Sequence, residues 1–370
     1  MPPTNAEHIA RNSWNELRRR AFHRRHASEA RNALARIERT LGKTNPAELR
    51  AADAYAREVL GEACYAPWLR VYTALNGTFI EGWIPDNYYG WIVVPRLKGH
   101  YGKVSDLKTL ARVIFRDTAF PDAGYHVNGL FYSQDYRAVT PLLLEKTLFH
   151  DTDKIVFKSD QSGQGRSVLI LRQQDFSLDL IKSLGNGVFQ RFIRQHEVFS
   201  QFGSAAVATI RFTTVIDDQG SASLRACFLR LGRDADSHVR PATEICVSAN
   251  LLDGCLQSTG YQSDWTYMQT HPDSKVAFVG TRLPAFQQCV AKVLELHGKF
   301  PFARCVGWDV TVDVDENVVV LEWNAEYNDV KFSEATQGPC FLGLGWEKLG
   351  QADYEVRGPS QQRGAKTIFG

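Results

Sequence analysis

Two acidic side chains and one amide mark a segment in the last quarter of the chain. The stretch "GWDVTVDVDENVVVLEWN" (307–324) predicts two antiparallel strands around an acidic turn, because valines alternate with polar residues before "DEN". A two-residue or four-residue turn places Asp309 opposite Glu322, and Asn324 shares their face; a turn of odd length would break this register. Such oxygen donors suit Mg²⁺, which prefers one or two carboxylates plus substrate phosphates. The alternative is a surface hairpin with solvated acids.

A lysine followed by a glycine- and serine-rich loop forms a second candidate site. Lys158 ends the short apolar strand "KIVFK", and the strand "VLIL" follows the loop. Glycine and serine let backbone N–H groups turn toward an anion, and the lysine adds a charge suited to phosphate. The Walker A pattern is absent, and a flexible hairpin loop is the alternative. The candidate residues of this loop are Ser159, Ser162, Gly163, Gly165 and Ser167.

A third candidate is an arginine in the middle of the apolar strand "ATIRFTTV". Arg211 needs an anionic partner or access to water there. It would either clamp a phosphoryl or carboxylate group of a substrate or form a salt bridge to one of the hairpin acids. Arg230, in the expected partner strand "SLRACFLRLG", is a candidate neighbour.

The elements before these motifs are predicted to be helical. Residues 6–39 are polar, rich in arginine and free of glycine and proline, which predicts one or two helices ending near Gly42. A second helix begins after Asn45, and "VSDLKTLARVIFRD" predicts a third, with Ser105 as its N-cap. Glutamates among the arginines argue against a nucleic-acid partner and favour a solvated helical face. A homodimer contact, a partner-docking element and a lid are the alternatives for these helices.

Bulk composition narrows the class of protein. The chain has 370 residues, 44% of them hydrophobic, which predicts two or three domains, and a net charge of +2 indicates no polyanionic partner. No apolar run approaches the roughly 18 residues of a membrane span, and we expect no secretory signal. The seven cysteines form no C-x-x-C pair, which favours reduced thiols and a cytoplasmic location.

The order of these motifs resembles that of ATP-grasp proteins. A strand ending in lysine, a Gly/Ser loop, a hinge, a strand with a central arginine and a hairpin carrying D…E-x-N follow one another. The patterns "QRFIRQH" and "ATIR" resemble the sugar-transfer-associated and teichuronopeptide-type branch, over residues 86 to 345. The resemblance implies an α+β ATP-grasp fold, in which two subdomains grip ATP between antiparallel sheets, with an N-terminal helical extension. The implied divisions are 1–85, 86–187, 188–349 and a loose tail at 350–370.

The resemblance also implies roles for the candidate residues. Lys158 would contact the α-phosphate, and the loop from Ser159 to Ser167 would cover the β- and γ-phosphates. Arg211 would clamp a phosphate or acyl phosphate. The hinge Gln190, Arg191, Phe192 and Ile193 would read adenine through its backbone, and His196, with Glu197 as the alternative, would contact the ribose. Asp309, Glu322 and Asn324 would be ligands of Mg²⁺. Lys108 would stand for an earlier family lysine, although Leu107 separates it from Asp106, and the role of Asn250 stays open.

The activity implied is an ATP- and Mg²⁺-dependent ligation of a small-molecule carboxylate to an amine. An acyl phosphate would form first, with Arg211 and Lys158 stabilising the developing charge, and ADP and phosphate would be released. One alternative is a kinase-like phosphotransferase acting on a sugar or another small molecule. The other is a non-catalytic nucleotide-binding partner of glycan assembly. The sequence does not identify the carboxylate or the amine.

Overall fold

The chain divides into two compact units. A computed structural model describes residues 5–160, 168–203, 206–233, 238–240 and 242–351, with side chains described from residue 13 onward. One unit contains the described residues up to Arg96 together with those from Val330, and the other runs from Leu97 to Asp329. The divisions predicted at residues 85, 187 and 349 stay a prediction. Among the described residues, no helix has the length and apolar character that a membrane crossing requires.

The first unit is helical. The arginine-rich segment, for which one or two helices were predicted, forms a single helix, α1. Helix α2 begins directly after Asn45, as predicted, and the Asn45 side chain accepts the N–H of Ala47. Every third or fourth residue of α1 from His23 to Ile37 is buried. Sequence reasoning could not assign residues 66–101, which are mostly helical, with one π-helical turn at Tyr89–Val93. The helices are α1 (Asn5–Leu41), α2 (Pro46–Glu58), α3 (Ala66–Asn76), α4 (Asp86–Tyr88), α5 (Val94–Leu97, which crosses the boundary) and α11 (Lys331–Gln337), with 3₁₀ turns at Ala63–Tyr65 and Trp346–Lys348.

The second unit contains a six-stranded antiparallel sheet with the strand order β3-β2-β1-β6-β4-β5. One face packs on α7 (Pro141–Leu148) and α8 (Leu178–Leu184) through Phe157, Phe189 and their neighbours. Because side chains alternate along a strand, Lys158 and Gln190 lie on the opposite face. The strands are β1 (Asp122–Val127), β2 (Leu130–Ser133), β3 (Ala138–Val139), β4 (Lys154–Ser159), β5 (Val168–Arg172) and β6 (Gly187–Arg191).

The same unit contains a seven-stranded antiparallel sheet with the order β11-β10-β9-β8-β7-β12-β13. Helix α10 (Phe286–Lys299) covers one face and builds the larger hydrophobic core with it. Both expected hairpins, β7–β8 and β12–β13, are present. The strands are β7 (Thr209–Ile216), β8 (Ala222–Leu231), β9 (Ile245–Ala249), β10 (Leu256–Gln262), β11 (Tyr267–Met268), β12 (Cys305–Val312) and β13 (Val318–Asn324).

The helix predicted over "VSDLKTLARVIFRD" is wrong in its first half, around Ser105, and present in its second half. Residues 101–110 form two 3₁₀ turns, and the α-helix α6 covers only Ala111–Phe115. The Ser105 hydroxyl donates to the Gly102 carbonyl (2.8 Å) and accepts the N–H of Ala325 (3.0 Å). Ser105 therefore anchors a distant segment instead of capping a helix.

Candidate functional site

The β12–β13 hairpin pairs Asp309 with Glu322, as the sequence predicted, although its turn differs from the prediction. The Asp313 N–H donates to the Asn317 carbonyl across a three-residue loop that ends in the left-handed residue Glu316 (φ 61°). Such a loop alone would put Leu321 opposite Asp309 and would turn Glu322 toward the core. The register shifts by one residue between Asp309 and Val310, so that Leu321 is the extra residue of a β-bulge.

The bulge decides which side chains reach the open face of the sheet. Beyond it, Trp323 enters the hydrophobic core, as expected, and Glu322 and Asn324 take the opposite face with Asp309. The same face receives Arg211 from β7, which lies directly opposite Asp309. The structure therefore brings together four residues that the sequence analysis singled out.

Asp309 and Arg211 form a buried bidentate ion pair. Arg211 Nε lies 2.6 Å from Asp309 Oδ1, and Nη2 lies 3.0 Å from Oδ2. The predicted salt bridge to a hairpin acid is therefore present, and the clamp on a phosphoryl or carboxylate group of a substrate stays a prediction. Arg230 approaches both oxygens at 3.4 Å and also holds Glu244 at 2.7 Å. Burial opposes ionisation of Asp309, but the two guanidinium groups outweigh it and hold the pKa of the carboxyl below its usual value.

Two lysines reach the other end of this site. Lys108 Nζ lies 3.2 Å from Glu322 Oε1. Lys108 therefore lies beside the hairpin, although its spacing from Asp106 departs from the family pattern. Lys158 Nζ donates to the carbonyl of Leu321, the bulge residue, at 3.0 Å. Burial lowers the pKa of Lys158; the nearby charge of Lys108 acts in the same direction, and that of Glu322 opposes it. Lys158 therefore bridges the two sheets at the bulge that orients Glu322.

The predicted hinge leads from the six-stranded sheet toward the hairpin. Gln190 lies on β6, and its side-chain amide donates to buried Asp122 (3.0 Å), whose pKa is raised by burial. Phe192 and Ile193 follow β6, and the Phe192 ring centroid lies 5.6 Å from the Lys154 ammonium. Their proposed contact with adenine stays a prediction.

His196 lies farther from the acidic pair. Its backbone N–H donates to Val312, three residues along β12 from Asp309, and its Nδ1 accepts the N–H of Val198. The imidazole thus caps the short helix α9 (Glu197–Ser200) near the hairpin turn. The ribose role predicted for His196 stays a prediction.

The Gly/Ser loop is described only at its first residues. The Ser159 hydroxyl donates to the Leu184 carbonyl (3.4 Å), and Asp160 accepts the backbone N–H and the hydroxyl of Thr109. The other predicted loop residues, Ser162, Gly163, Gly165 and Ser167, lie outside the described part of the chain. Asn250, whose role was open, accepts the N–H of Leu252 in the turn after β9 and is exposed.

Sequence reasoning missed three residues of this region. Asp122 and Lys98 are buried ionisable groups, and Asn328 is a buried amide that binds Lys98. Nothing in their local sequence marks them, because their partners lie far along the chain. The sequence does indicate that Arg230 has an acidic partner such as Glu244, since Arg230 interrupts an apolar strand just as Arg211 does.

The donor set suits a metal ion only when phosphates accompany it. Within the described residues, no group of three or more His, Cys, Asp or Glu side chains could hold a metal. Both Asp309 oxygens bind Arg211, so Asp309 enters a metal site only by sharing its oxygens. The Glu322 carboxylate and the side-chain oxygen of Asn324 are the better metal ligands. The buried Asn324 Nδ2, which has no partner among the described residues, can donate a hydrogen bond to an anion such as phosphate.

Cations and carboxylates lie side by side in the site. Lys108, Lys158, Arg211 and Arg230 lie close to the carboxylates of Asp309, Glu322, Glu244 and Asp122. A bare Mg²⁺ ion would compete with these cations for the carboxylates, whereas the phosphates of a nucleotide would offer the cations new partners and the metal further oxygen ligands. The residues present therefore fit a metal–polyphosphate and not an isolated ion.

A family model described as "sugar-transfer associated ATP-grasp" matches residues 149–344, more than half of the chain. This chain belongs to the sugar-transfer associated ATP-grasp family. The match confirms the resemblance inferred from the motifs, and it covers strands β4 to β13 of the two antiparallel sheets. No curated protein sequence matches the chain.

Solved ATP-grasp structures are similar at low sequence identity. The ATP-grasp ligase PsnB, complexed with a minimal precursor, is 14% identical, with 73% of this chain and 62% of that chain covered and a TM-score of 0.38. N5-carboxyaminoimidazole synthetase from Staphylococcus aureus, complexed with ADP, is 9% identical, with 67% and 52% covered and a TM-score of 0.42. D-alanine-D-alanine ligase from Coxiella burnetii is 12% identical, with 67% and 58% covered and a TM-score of 0.35. The chain therefore spans less than two thirds of the length of these proteins.

Proposed function

We propose that this protein is an ATP- and Mg²⁺-dependent ligase that joins a small-molecule carboxylate to an amine through an acyl phosphate. The observation that carries the proposal is the convergence of Glu322 and Asn324 with four cationic side chains beside one sheet face. Membership of the ATP-grasp family supports ATP as the substrate that this charge pattern receives. A cytoplasmic location and a homodimer contact through α1 stay predictions.

The proposed binding step follows from the charges. Lys158 and Lys108 bind phosphate oxygens of ATP, and Glu322 and Asn324 supply the oxygen ligands for the metal. Mg²⁺, when bound, neutralises charge on the β- and γ-phosphates. Lys108, which contacts Glu322 in the structure, would then turn its ammonium group toward a phosphate oxygen.

The proposed chemistry needs little covalent participation by the protein. A carboxylate oxygen of the substrate attacks the γ-phosphorus, the bond to the β–γ bridging oxygen breaks, and ADP leaves. The amine then attacks the acyl carbon and loses a proton, and the carbon–oxygen bond breaks to release phosphate. Arg211, held in place by Asp309, stabilises the charge on the transferring oxygens through its N–H groups.

The test is calorimetric titration of ATP into the wild-type protein and Glu322→Gln, each with and without Mg²⁺. We expect Mg²⁺-dependent binding that Glu322→Gln weakens about tenfold, which corresponds to one lost charge-assisted contact. Asp315→Asn is the matched control, because Asp315 lies exposed in the turn of the same hairpin. A folded wild-type protein that binds no ATP would refute the proposal.

Product analysis separates the proposed reaction from its alternatives. Pools of carboxylates and amines are incubated with the protein and ATP, and ADP, phosphate and amide products are measured. We expect ADP and phosphate in equal amounts, and only when both substrates are present. A phosphorylated hydroxyl product without free phosphate would support the phosphotransferase instead.

A further inference from the structure

Lys98 is a fully buried lysine that donates hydrogen bonds to the segment directly after β13. Its Nζ donates to the Asn328 side-chain oxygen at 2.7 Å and to the Glu326 carbonyl at 3.1 Å. Lys98 and Asn328 are 2% and 1% exposed. Burying an ammonium group is unfavourable unless acceptors replace its water, so these two bonds are needed for Lys98 to lie there.

The contacts of Lys98 belong to a longer antiparallel match between residues 98–108 and 322–328. Lys108 contacts Glu322 at one end, and Lys98 contacts Asn328 at the other. Between them, Ser105 accepts the N–H of Ala325. At Gly102, an added Cβ would lie only 2.7 Å from the carbonyl oxygen of Ala325, so the two backbones are in direct contact. Residues 98–108 therefore fix the course of the chain that leaves β13.

This segment reaches the Arg211–Asp309 pair through Gly307. An added Cβ at Gly307 would lie 2.8 Å from Asn328 Cβ and 3.2 Å from Arg211 Nη1. Asn328 and the guanidinium group therefore lie side by side over Gly307, next to the position where Arg211 binds Asp309. A displacement of Asn328 would open space into which Arg211 could turn.

We propose that Lys98 is a positioning residue of the nucleotide site, which holds Asn328 over Gly307 and thereby keeps the Arg211 guanidinium oriented for the phosphates. The inference rests on the proposed function, since it assumes that Arg211 contacts ATP. Lys98 itself contacts neither ATP nor the metal. Its effect on binding passes through Asn328.

The test compares MgATP affinity with folding stability in matched variants. Lys98→Met keeps the length of the side chain and removes its hydrogen bonds, and Asn328→Ala removes the same contact from the other side. We expect each variant to weaken MgATP binding about tenfold, as for one charge-assisted hydrogen bond. The double variant should bind no more weakly than Asn328→Ala, because Lys98 acts on the site through Asn328.

Val306→Ala is the control for a merely structural effect. Val306 lies next to Gly307 on β12, is fully buried and faces the core on the opposite side of the sheet. Truncating it lowers stability without touching the polar face. Urea unfolding should show a loss of stability in Val306→Ala, and calorimetry should show unchanged MgATP affinity.

The outcomes separate this inference from the proposed function. Wild-type affinity in folded Lys98→Met or Asn328→Ala overturns the positioning role alone. An equal loss of affinity in Val306→Ala also overturns it, because the effect would then follow from stability. A wild-type protein that fails to bind MgATP overturns the proposed function and this inference with it.

Discussion

Arg211 and Asp309 lie directly opposite each other on β7 and β12, and the guanidinium binds both oxygens of the carboxylate. A buried charge pair of this kind is not in itself a strong source of stability, because both ions lose their hydration. Its value to the proposed enzyme is geometric, since the carboxylate fixes the orientation of the guanidinium. Arg230, which also contacts Asp309, adds a second cation at the same place.

Asp309→Asn should destabilise the protein at neutral pH. The substitution leaves Arg211 and Arg230 buried without their shared carboxylate, and breaking a buried pair costs about 3–5 kcal/mol. The pKa of Asp309 is lowered in the folded protein, so its stabilising effect is present above the unfolded value of about 3.9. That effect disappears as the pH falls through the lower folded pKa. Urea unfolding at a series of pH values measures the difference between the variant and the wild type.

Asp315→Asn is the control for this pH series, because Asp315 is exposed in the hairpin turn. It should leave stability nearly unchanged throughout. A constant difference between Asp309→Asn and the wild type down to the most acidic conditions would contradict the role assigned to the pair.

Gly307→Ala should weaken both folding and nucleotide binding. The new methyl group would overlap Asn328 Cβ, 2.8 Å away, and would press on Arg211. Overpacking of this kind costs about 1–3 kcal/mol, and here it also disturbs the guanidinium. Gly298→Ala, in α10, is the control, because its methyl group would meet nothing within 4 Å. Equal MgATP affinity in the two variants, measured by calorimetry, would contradict the prediction for Gly307.

The hairpin shows how far sequence reasoning reaches. Alternation of valines with polar residues predicted both strands, and the pairing of Asp309 with Glu322 is confirmed. The turn length was wrong, and the pairing survives because a bulge at Leu321 corrects the register. Local sequence could not show the bulge, because the carbonyl of Leu321 is bound by Lys158, which lies 163 residues earlier.

The residues around Lys98 mark the other limit. The sequence predicted a helix over "VSDLKTLARVIFRD", shortly after Lys98, yet residues 101–110 form two 3₁₀ turns that run antiparallel to residues 322–328. Tertiary contacts with a segment more than 200 residues away override the local preference here. No periodicity within one segment carries such information, so Lys98 and Asn328 could be found only in the folded chain.

Lys158→Met should lower nucleotide affinity without lowering stability. The buried ammonium, whose pKa is already lowered by burial, is unfavourable for folding, and an apolar side chain of similar length relieves this. Loss of the phosphate contact should weaken MgATP binding at least about tenfold. Lys182→Met is the control, because Lys182 lies exposed on α8, which packs on the face of the sheet opposite to Lys158. Calorimetry measures MgATP affinity and thermal unfolding measures stability in both variants. Unchanged affinity in Lys158→Met would show that Lys158 does not bind the phosphates.

Lys98→Met should change how stability depends on alkaline pH. Burial lowers the pKa of Lys98 from 10.5 to about 8, while nearby Cys305 and Glu326 oppose this shift. Between these two pH values the unfolded chain binds more protons than the folded one, so raising the pH stabilises the wild type. The wild type should therefore gain stability over Lys98→Met by about 1 kcal/mol per pH unit in this window. Urea unfolding of both proteins measures the difference, from which the titration of all other groups largely cancels. Lys103→Met, at an exposed position of the same segment, should show no such trend. A difference between the wild type and Lys98→Met that stays constant across the window would mean that Lys98 is not the buried, proton-releasing group that its contacts indicate.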